Sequence, residues 1–334
     1  MKKFLVASIV ALLFLAGCSS DNGNTQESSV YKVGTASVTS VSPRDYNSET
    51  DQAGRVQVNT TFANVVLDEE GVFVYVAIDV AQNEGTFDNE GVVVTAEAAP
   101  TKKEKGDAYN MKGASAIGKE WDEQIAAFEE WVIGKTLEDV KALAIDGGYL
   151  ADSEDLKSSV TVRVTDYIAV VEKAVEYAET VEDVARVGVA SVTSVSGRDF
   201  VEGTDGRIQV NVTFAGVAYD ADGNILYVSI DTAQNQGTFD GEGVVVAADA
   251  VGTKKERGTA YGMANASPIG KEWDEQITSF ELFAVGKTLS DVTGLAIDGG
   301  YLDDAEDLKS EVTMRVTDYI AALEKATDNA VSLN

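Results

Sequence analysis

The stretch that decides the fold is KEWDEQI, residues 119–125, because it recurs unchanged as residues 271–277. LAIDGGYL, residues 143–150, recurs unchanged as residues 295–302. Both pairs have the same spacing, which is far longer than the 20–50 residues of solenoid repeats. We therefore expect each copy to be a whole domain and the chain to be a tandem duplication.

The N-terminus is typical of a bacterial lipoprotein. Lys2 and Lys3 precede an apolar run that is too short for a typical membrane-spanning helix, and the run ends in Leu-Ala-Gly-Cys at Cys18. This pattern predicts a signal peptide at residues 1–17, lipidation of Cys18 and a polar tether at residues 18–32. The alternative is an ordinary signal peptide with a chance cysteine.

Composition excludes several kinds of site. The formal net charge is −30, which opposes binding to nucleic acid and to anionic membrane surfaces. The chain has no histidine and one cysteine, so it lacks Ser-His-Asp and Cys-His catalysis, histidine metal sites and disulfides. An enzyme with this sequence would need carboxylates, hydroxyls, lysines or a cofactor.

We expect two independently folding α+β domains, residues 33–180 and 181–334, each an antiparallel sheet with helices packed against it. In copy one, alternation predicts strands at 56–62 and 73–81, joined as a hairpin. Apolar residues at helical spacing predict a helix with Trp121, Ile125, Phe128 and Val132 on one face.

Other parts of copy one are read from their residue types. Residues 81–91 are rich in Gly and Asn, which predicts a loop. Val160, Val162 and Val164 alternate like a strand, and Thr165 is expected to cap a final helix at 166–178.

Two features leave structural and functional interpretations open. The aromatic residues of copy one recur in copy two and are either core or one wall of a planar ligand site. They are Trp121, Phe128, Trp131 and Tyr149, with Trp273, Phe280, Phe283 and Tyr301 as counterparts. The lysine-containing loop 101–111 either meets an anion or is simply solvated.

A third motif lies before the last helix of each copy. Asp155, Ser158 and Thr161 have the spacing Asp-x-x-Ser-x-x-Thr, and Asp307, Ser310 and Thr313 repeat it. This spacing resembles the Asp-x-x-Ser-Gly-Ala-Thr signature of FMN-binding domains, in which a flavin transferase esterifies the threonine with FMN. The chain departs from the Gly-Ala pair, with Ser159-Val160 in copy one and Glu311-Val312 in copy two.

The lipobox, the tether and two domains with TKKE, GDAYxM and KEWDEQ elements are together similar to the flavin-bearing pheromone lipoproteins of Gram-positive extracellular electron-transfer chains. The resemblance covers nearly the whole mature chain. It implies two covalent FMN groups, on Thr161 and Thr313, and a signal peptide that releases a short peptide ending near residue 17. The other residues that it assigns to cofactor binding are Asp155, Ser158, Asp307, Ser310, Tyr109, Met111, Trp121, Tyr261, Met263 and Trp273.

Two functions follow as hypotheses. In the first, the protein is anchored at the outer face of the cytoplasmic membrane and carries electrons on FMN. Its expected partners are a flavin transferase, a membrane NADH dehydrogenase or quinone, and ferric iron or free flavin as acceptor. In the second, it is a cofactor-free binding lipoprotein or pheromone precursor. Yellow colour that survives denaturation and desalting of host-made protein is expected only for the first.

Overall fold

A computed structural model of the chain describes residues 29–152 and 154–333. The predicted signal peptide, Cys18 and most of the predicted tether lie outside these residues. Within them, no helix is long and apolar enough to cross a membrane.

Copy one is built on an antiparallel five-stranded sheet in the order β4-β3-β2-β1-β7. Its strands are β1 (Val30–Arg44), β2 (Gly54–Leu67), β3 (Phe73–Phe87), β4 (Val93–Ala96), the short pair β5 (Ile145–Asp146) and β6 (Tyr149–Leu150), and β7 (Glu179–Glu182). Its helices are α1 (Lys102–Lys105), α2 (Trp121–Val132), α3 (Leu137–Lys141), α4 (Glu154–Lys157) and α5 (Thr165–Glu176), with a 3-10 turn at Gly106–Tyr109. The predicted domain boundary at 180/181 falls inside β7.

Copy two repeats this arrangement in a sheet of order β11-β10-β9-β8-β14. Its strands are β8 (Arg186–Arg198), β9 (Gly206–Tyr219), β10 (Ile225–Phe239), β11 (Val245–Ala247), β12 (Ile297–Asp298), β13 (Tyr301–Leu302) and β14 (Val331–Ser332). Its helices are α6 (Lys254–Arg257), α7 (Trp273–Ala284), α8 (Leu289–Thr293), α9 (Glu306–Lys309) and α10 (Thr317–Asp328). The predicted α+β class with two tandem sheet-plus-helix domains is confirmed.

Each sheet buries both of its faces. One face of the copy-one sheet packs against α2 and α5, with Ala63, Val65 and Ile78 in that core. Because side chains alternate along a strand, the neighbouring residues Phe62 and Val66 point to the opposite face. That face packs against the sheet of copy two. The molecule therefore has four layers, with helices outside and two sheets inside.

The two predicted domains share an apolar core, which bears on the expectation that they fold independently. Phe62 stacks on Phe214 with ring centroids 6.2 Å apart, and Phe87 stacks on Phe239 at 3.8 Å. These rings belong to one apolar cluster drawn from both copies. Separating the copies would expose that cluster to water. Repetition in the sequence reveals two units, but it does not reveal that they share a core.

The predicted loop at 81–91 is largely strand, because β3 continues to Phe87. Gly85 lies in this strand opposite Val56 of β2. A Cβ atom at Gly85 would lie 2.6 Å from the side chain of Ile208 in copy two. The glycine is therefore needed where two sheets approach closely, which is one of the positional uses of glycine in strands.

The predicted strand around Val160 and Val164 is absent, and these residues lie in the loop between α4 and α5. Val160 and Val164 are fully buried and Val162 is half-buried against the same core, so the apolar alternation arises from a loop that packs on the core. Thr165 does not cap α5 as expected. It is the first helical residue, and no side-chain bond caps the helix at the preceding Val164.

Candidate functional site

A cavity of about 450 Å³ lies on the helix-facing side of the copy-one sheet, beside Thr161. This volume is within the range of small-molecule sites. Its polar side is formed by sheet residues Gln57, Asn59 and Gln82. The other walls come from the α1 region, from α2 and from the loop before α5. The structure thus brings Thr161, Tyr109, Met111 and Trp121 together, as the resemblance implies.

Thr161 is held by a buried glutamine that the sequence reasoning missed. The Oε1 atom of Gln124 accepts hydrogen bonds from the backbone N–H of Thr161, at 2.8 Å, and from its hydroxyl, at 3.1 Å. Gln124 is fully buried, and its amide nitrogen donates to Ser115 Oγ and to the Lys119 carbonyl. The amide is therefore fixed, and it fixes the hydroxyl. A polar residue retained inside the helix pattern of both copies was the available signal.

Tyr109 ends the 3-10 turn and Met111 lies in the loop after it, and this segment is tied to the sheet and to α2. The Tyr109 hydroxyl donates to Gln82 Oε1 at 3.1 Å. The buried carboxylate of Glu120, the N-cap residue of α2, accepts hydrogen bonds from the backbone N–H groups of Met111 at 2.8 Å and Lys112 at 2.9 Å. These charge-assisted bonds set the cavity wall before any ligand arrives.

Trp121 is both a core residue and part of a cavity wall, the two interpretations that the sequence left open. It is 1% exposed and belongs to the core, and it also lines the cavity. Its indole N–H donates to the Tyr167 hydroxyl at 2.7 Å, so its orientation is fixed. Phe128 is core alone. Tyr149 is half exposed and lines the outer part of the cavity.

The segment 101–111, predicted as a loop, is instead largely α1 and the 3-10 turn, and a lysine of α1 enters this aromatic wall. The Nζ atom of Lys102 lies 5.0 Å from the ring centroid of Tyr109 and 5.3 Å from that of Trp121. Burial lowers the pKa of Lys102 from 10.5 to about 8, against the opposing effect of Asp79. A cation in a partly desolvated aromatic wall is suited to meet an anionic or electron-rich group.

Five predicted site residues do not line a cavity: Thr313, which is next to the lining residue Met314, and the Asp and Ser of each motif. Asp155 and Ser158 are exposed, and the Ser158 hydroxyl donates to the Asp155 carbonyl oxygen at 2.8 Å. Asp307 and Ser310 repeat this contact at 2.7 Å and are also exposed. These pairs shape the turn that leads to each threonine, but they do not line either cavity.

Copy two repeats the site in a smaller form, about 280 Å³. Its Gln276 accepts from the Thr313 backbone at 2.8 Å and from the Thr313 hydroxyl at 3.2 Å. Lys254 lies 5.1 Å from the Tyr261 centroid and 5.2 Å from the Trp273 centroid, and burial lowers its pKa to about 8. Met263 also lines this cavity.

The chain matches no family model, and no solved structure matches it. It is similar over 41 residues, at 54% identity, to a chlorophenol reductase of Desulfitobacterium hafniense. The similar stretch covers 12% of this chain and 12% of that protein. A match this short carries no argument about the rest of either chain.

Proposed function

We propose that this protein is a membrane-anchored extracellular electron carrier with two covalent FMN groups, one on Thr161 and one on Thr313. In this proposal a diacylglycerol on Cys18 anchors it to the outer face of the cytoplasmic membrane. A membrane NADH dehydrogenase or quinone supplies the electrons, and ferric iron or soluble flavin accepts them.

The observation that carries the proposal is a threonine hydroxyl that a buried glutamine fixes next to an aromatic-walled cavity. Thr161 itself lines the cavity of copy one, and in copy two the residue after Thr313, Met314, lines it. In copy one the hydroxyl hydrogen is directed to Gln124, which leaves the oxygen lone pairs free to face elsewhere. Thr161 itself lines the cavity, so a group attached to its oxygen starts at the cavity rim.

The side chains of the cavity suit FMN. Tyr109 and Trp121 present ring surface, and Lys102 adds positive charge beside them. The amides of Gln57 and Gln82 and the hydroxyl of Thr61 offer hydrogen bonds from the sheet. When bound, FMN would supply the redox chemistry, while the protein supplies position, hydrogen bonds and charge.

The attachment also constrains the donor. A threonine phosphodiester requires a flavin phosphate with a leaving group, so the donor class is a flavin dinucleotide. The threonine oxygen bonds to the FMN phosphorus, the pyrophosphate bond breaks, and a nucleoside monophosphate leaves. The hydroxyl proton passes to a base of the transferase, because the Gln124 amide is not basic enough to take it.

Peptide mass mapping of protein extracted from native-host membranes tests the proposal. Peptides with Thr161 and Thr313 should each gain the mass of FMN minus one water, and the peptide beginning at Cys18 should carry diacylglycerol. Thr161→Val should remove the first flavin and leave the second. If all of the Thr161 and Thr313 peptides lacked flavin, the result would contradict the flavin proposal and favour a cofactor-free binding lipoprotein.

A further inference from the structure

The two cavities differ where the repeat is imperfect. Val162 lines the larger cavity, and Met314 takes its place in the smaller one. The Met314 sulfur accepts a hydrogen bond from the Tyr319 hydroxyl at 3.5 Å, and both residues line the cavity. Thr161 lines its cavity, whereas Thr313 does not line the cavity of copy two. Thr313 is therefore less accessible from its cavity than Thr161 is.

A second difference lies two residues before the threonine. Copy two has Glu311 there, and its carboxylate forms an ion pair with Lys271, just before α7. Copy one keeps the lysine as Lys119 but has Ser159 at the other position. The loop before Thr313 is thus held by two contacts, the Glu311–Lys271 ion pair and the bond to Gln276. The loop before Thr161 has the corresponding bond to Gln124 but not the ion pair, because Ser159 carries no charge.

We infer that copy two accepts its flavin more slowly than copy one, and that Glu311 sets this order by holding the loop before Thr313. The inference rests on the proposed function. To enter a transferase, the loop must leave its resting position, and the Glu311–Lys271 pair opposes that movement. The carboxylate also repels the incoming phosphate.

The expected size follows from the exposure of the pair. Its two side chains are 33% and 46% exposed, so water screens the attraction. Exposed ion pairs change equilibria by factors of about 1.4 to 5. We therefore expect Thr161 to be modified about 1.4- to 5-fold faster than Thr313, with a smaller difference at high salt.

Reciprocal substitutions test the inference. Flavin-free protein is incubated with purified flavin transferase and flavin adenine dinucleotide, and occupancy of each threonine peptide is followed by mass spectrometry. Glu311→Ser and Glu311→Gln should both accelerate Thr313, because both remove the charge and the second keeps the side-chain size. Ser159→Glu should slow Thr161, because Lys119 then has a carboxylate to pair with.

Hydrogen exchange of flavin-free protein supplies a readout that does not depend on flavin. Amides of 311–314 should exchange more slowly than those of 159–162, and Glu311→Gln should remove part of the difference. Equal modification rates in the unsubstituted protein, or substitutions without effect on rate and exchange, would overturn the inference alone. No modification of either threonine in any variant would overturn the proposed function and this inference with it.

Discussion

Lys102 brings a cation into the aromatic wall of the copy-one cavity, where burial opposes its charge. Its pKa falls to about 8, mainly because the ammonium group loses water, and Asp79 and Asp166 only partly compensate. Lys254 in copy two has the same environment and the same direction of shift. An anion in the cavity would therefore stabilise the charged form of either lysine.

This environment predicts unusual amine reactivity. At pH 8 about half of Lys102 is neutral, compared with roughly 0.3% of a lysine with a pKa of 10.5. Trace acylation followed by peptide mass spectrometry should give half-maximal reactivity near pH 8 for Lys102 in flavin-free protein. Lys112, which is exposed, serves as the internal reference for the reagent.

Attachment of FMN should shift that profile to higher pH, since a phosphate near the lysine favours the charged form. Host-made, flavin-loaded protein provides the comparison. Half-maximal reactivity of Lys102 above pH 10 in the flavin-free protein would contradict the lowered pKa. If the pH profile of Lys102 were identical in flavin-free and flavin-loaded protein, the attached phosphate would not lie near the lysine.

Helix α2 organises the site because its polar residues reach two loops at once. Glu120 holds the loop that carries Met111, and Gln124, one turn later, holds the loop that carries Thr161. Between them Trp121 forms part of the cavity wall. One helix thus fixes three sides of the cavity, and α7 does the same in copy two with Glu272, Trp273 and Gln276.

Sequence periodicity predicted the apolar contacts of α2 but could not predict its polar contacts. The apolar residues Trp121, Ile125, Phe128 and Val132 are all buried, as their spacing indicates. Glu120 and Gln124 instead bond to backbone groups of loops. Thr161, the loop partner of Gln124, is 37 positions away from it in the sequence. No helical period reports such a contact, so the threonine was found by resemblance and its anchor was not found.

Strand β3 provides a prediction at the same scale. Gly85→Ala should destabilise the protein by about 1–3 kcal/mol, because the added methyl overpacks the interface against Ile208. Urea unfolding measures the change. Gly113→Ala is the control, because a Cβ atom there meets nothing within 4 Å. If both substitutions had equally small effects, the close approach of the sheets at Gly85 would be wrong.

At the scale of the whole molecule, the two copies contact each other reciprocally. Lys173 of copy one pairs with Glu256 of copy two, and Lys325 of copy two pairs with Glu104 of copy one. The same interface contains the apolar cluster with the stacked phenylalanines. An interface that combines an apolar core with partly exposed ion pairs resembles that of an obligate dimer, with both halves on one chain.

The shared core predicts that the copies unfold together. Two of the three tryptophans, Trp121 and Trp131, lie in copy one, whereas circular dichroism reports on both copies. In urea, the two signals should give one coincident transition. Phe62→Ala should lower the free energy of unfolding of the whole chain by about 3–5 kcal/mol, since the ring is buried between the sheets. Leu282→Ala is the control, because Leu282 is 72% exposed.

A fragment of residues 29–182 extends the same argument. It keeps β1 to β7 and its helix-facing core, but its second sheet face loses the partner that covers Phe62 and Phe87. An uncovered apolar face of this kind drives self-association, so light scattering should find the fragment dimeric or aggregated. A monomeric fragment with a cooperative transition would show instead that each copy is stable alone. Two separate midpoints in the full chain would lead to the same conclusion, and the flavin sites would then sit on domains free to move apart.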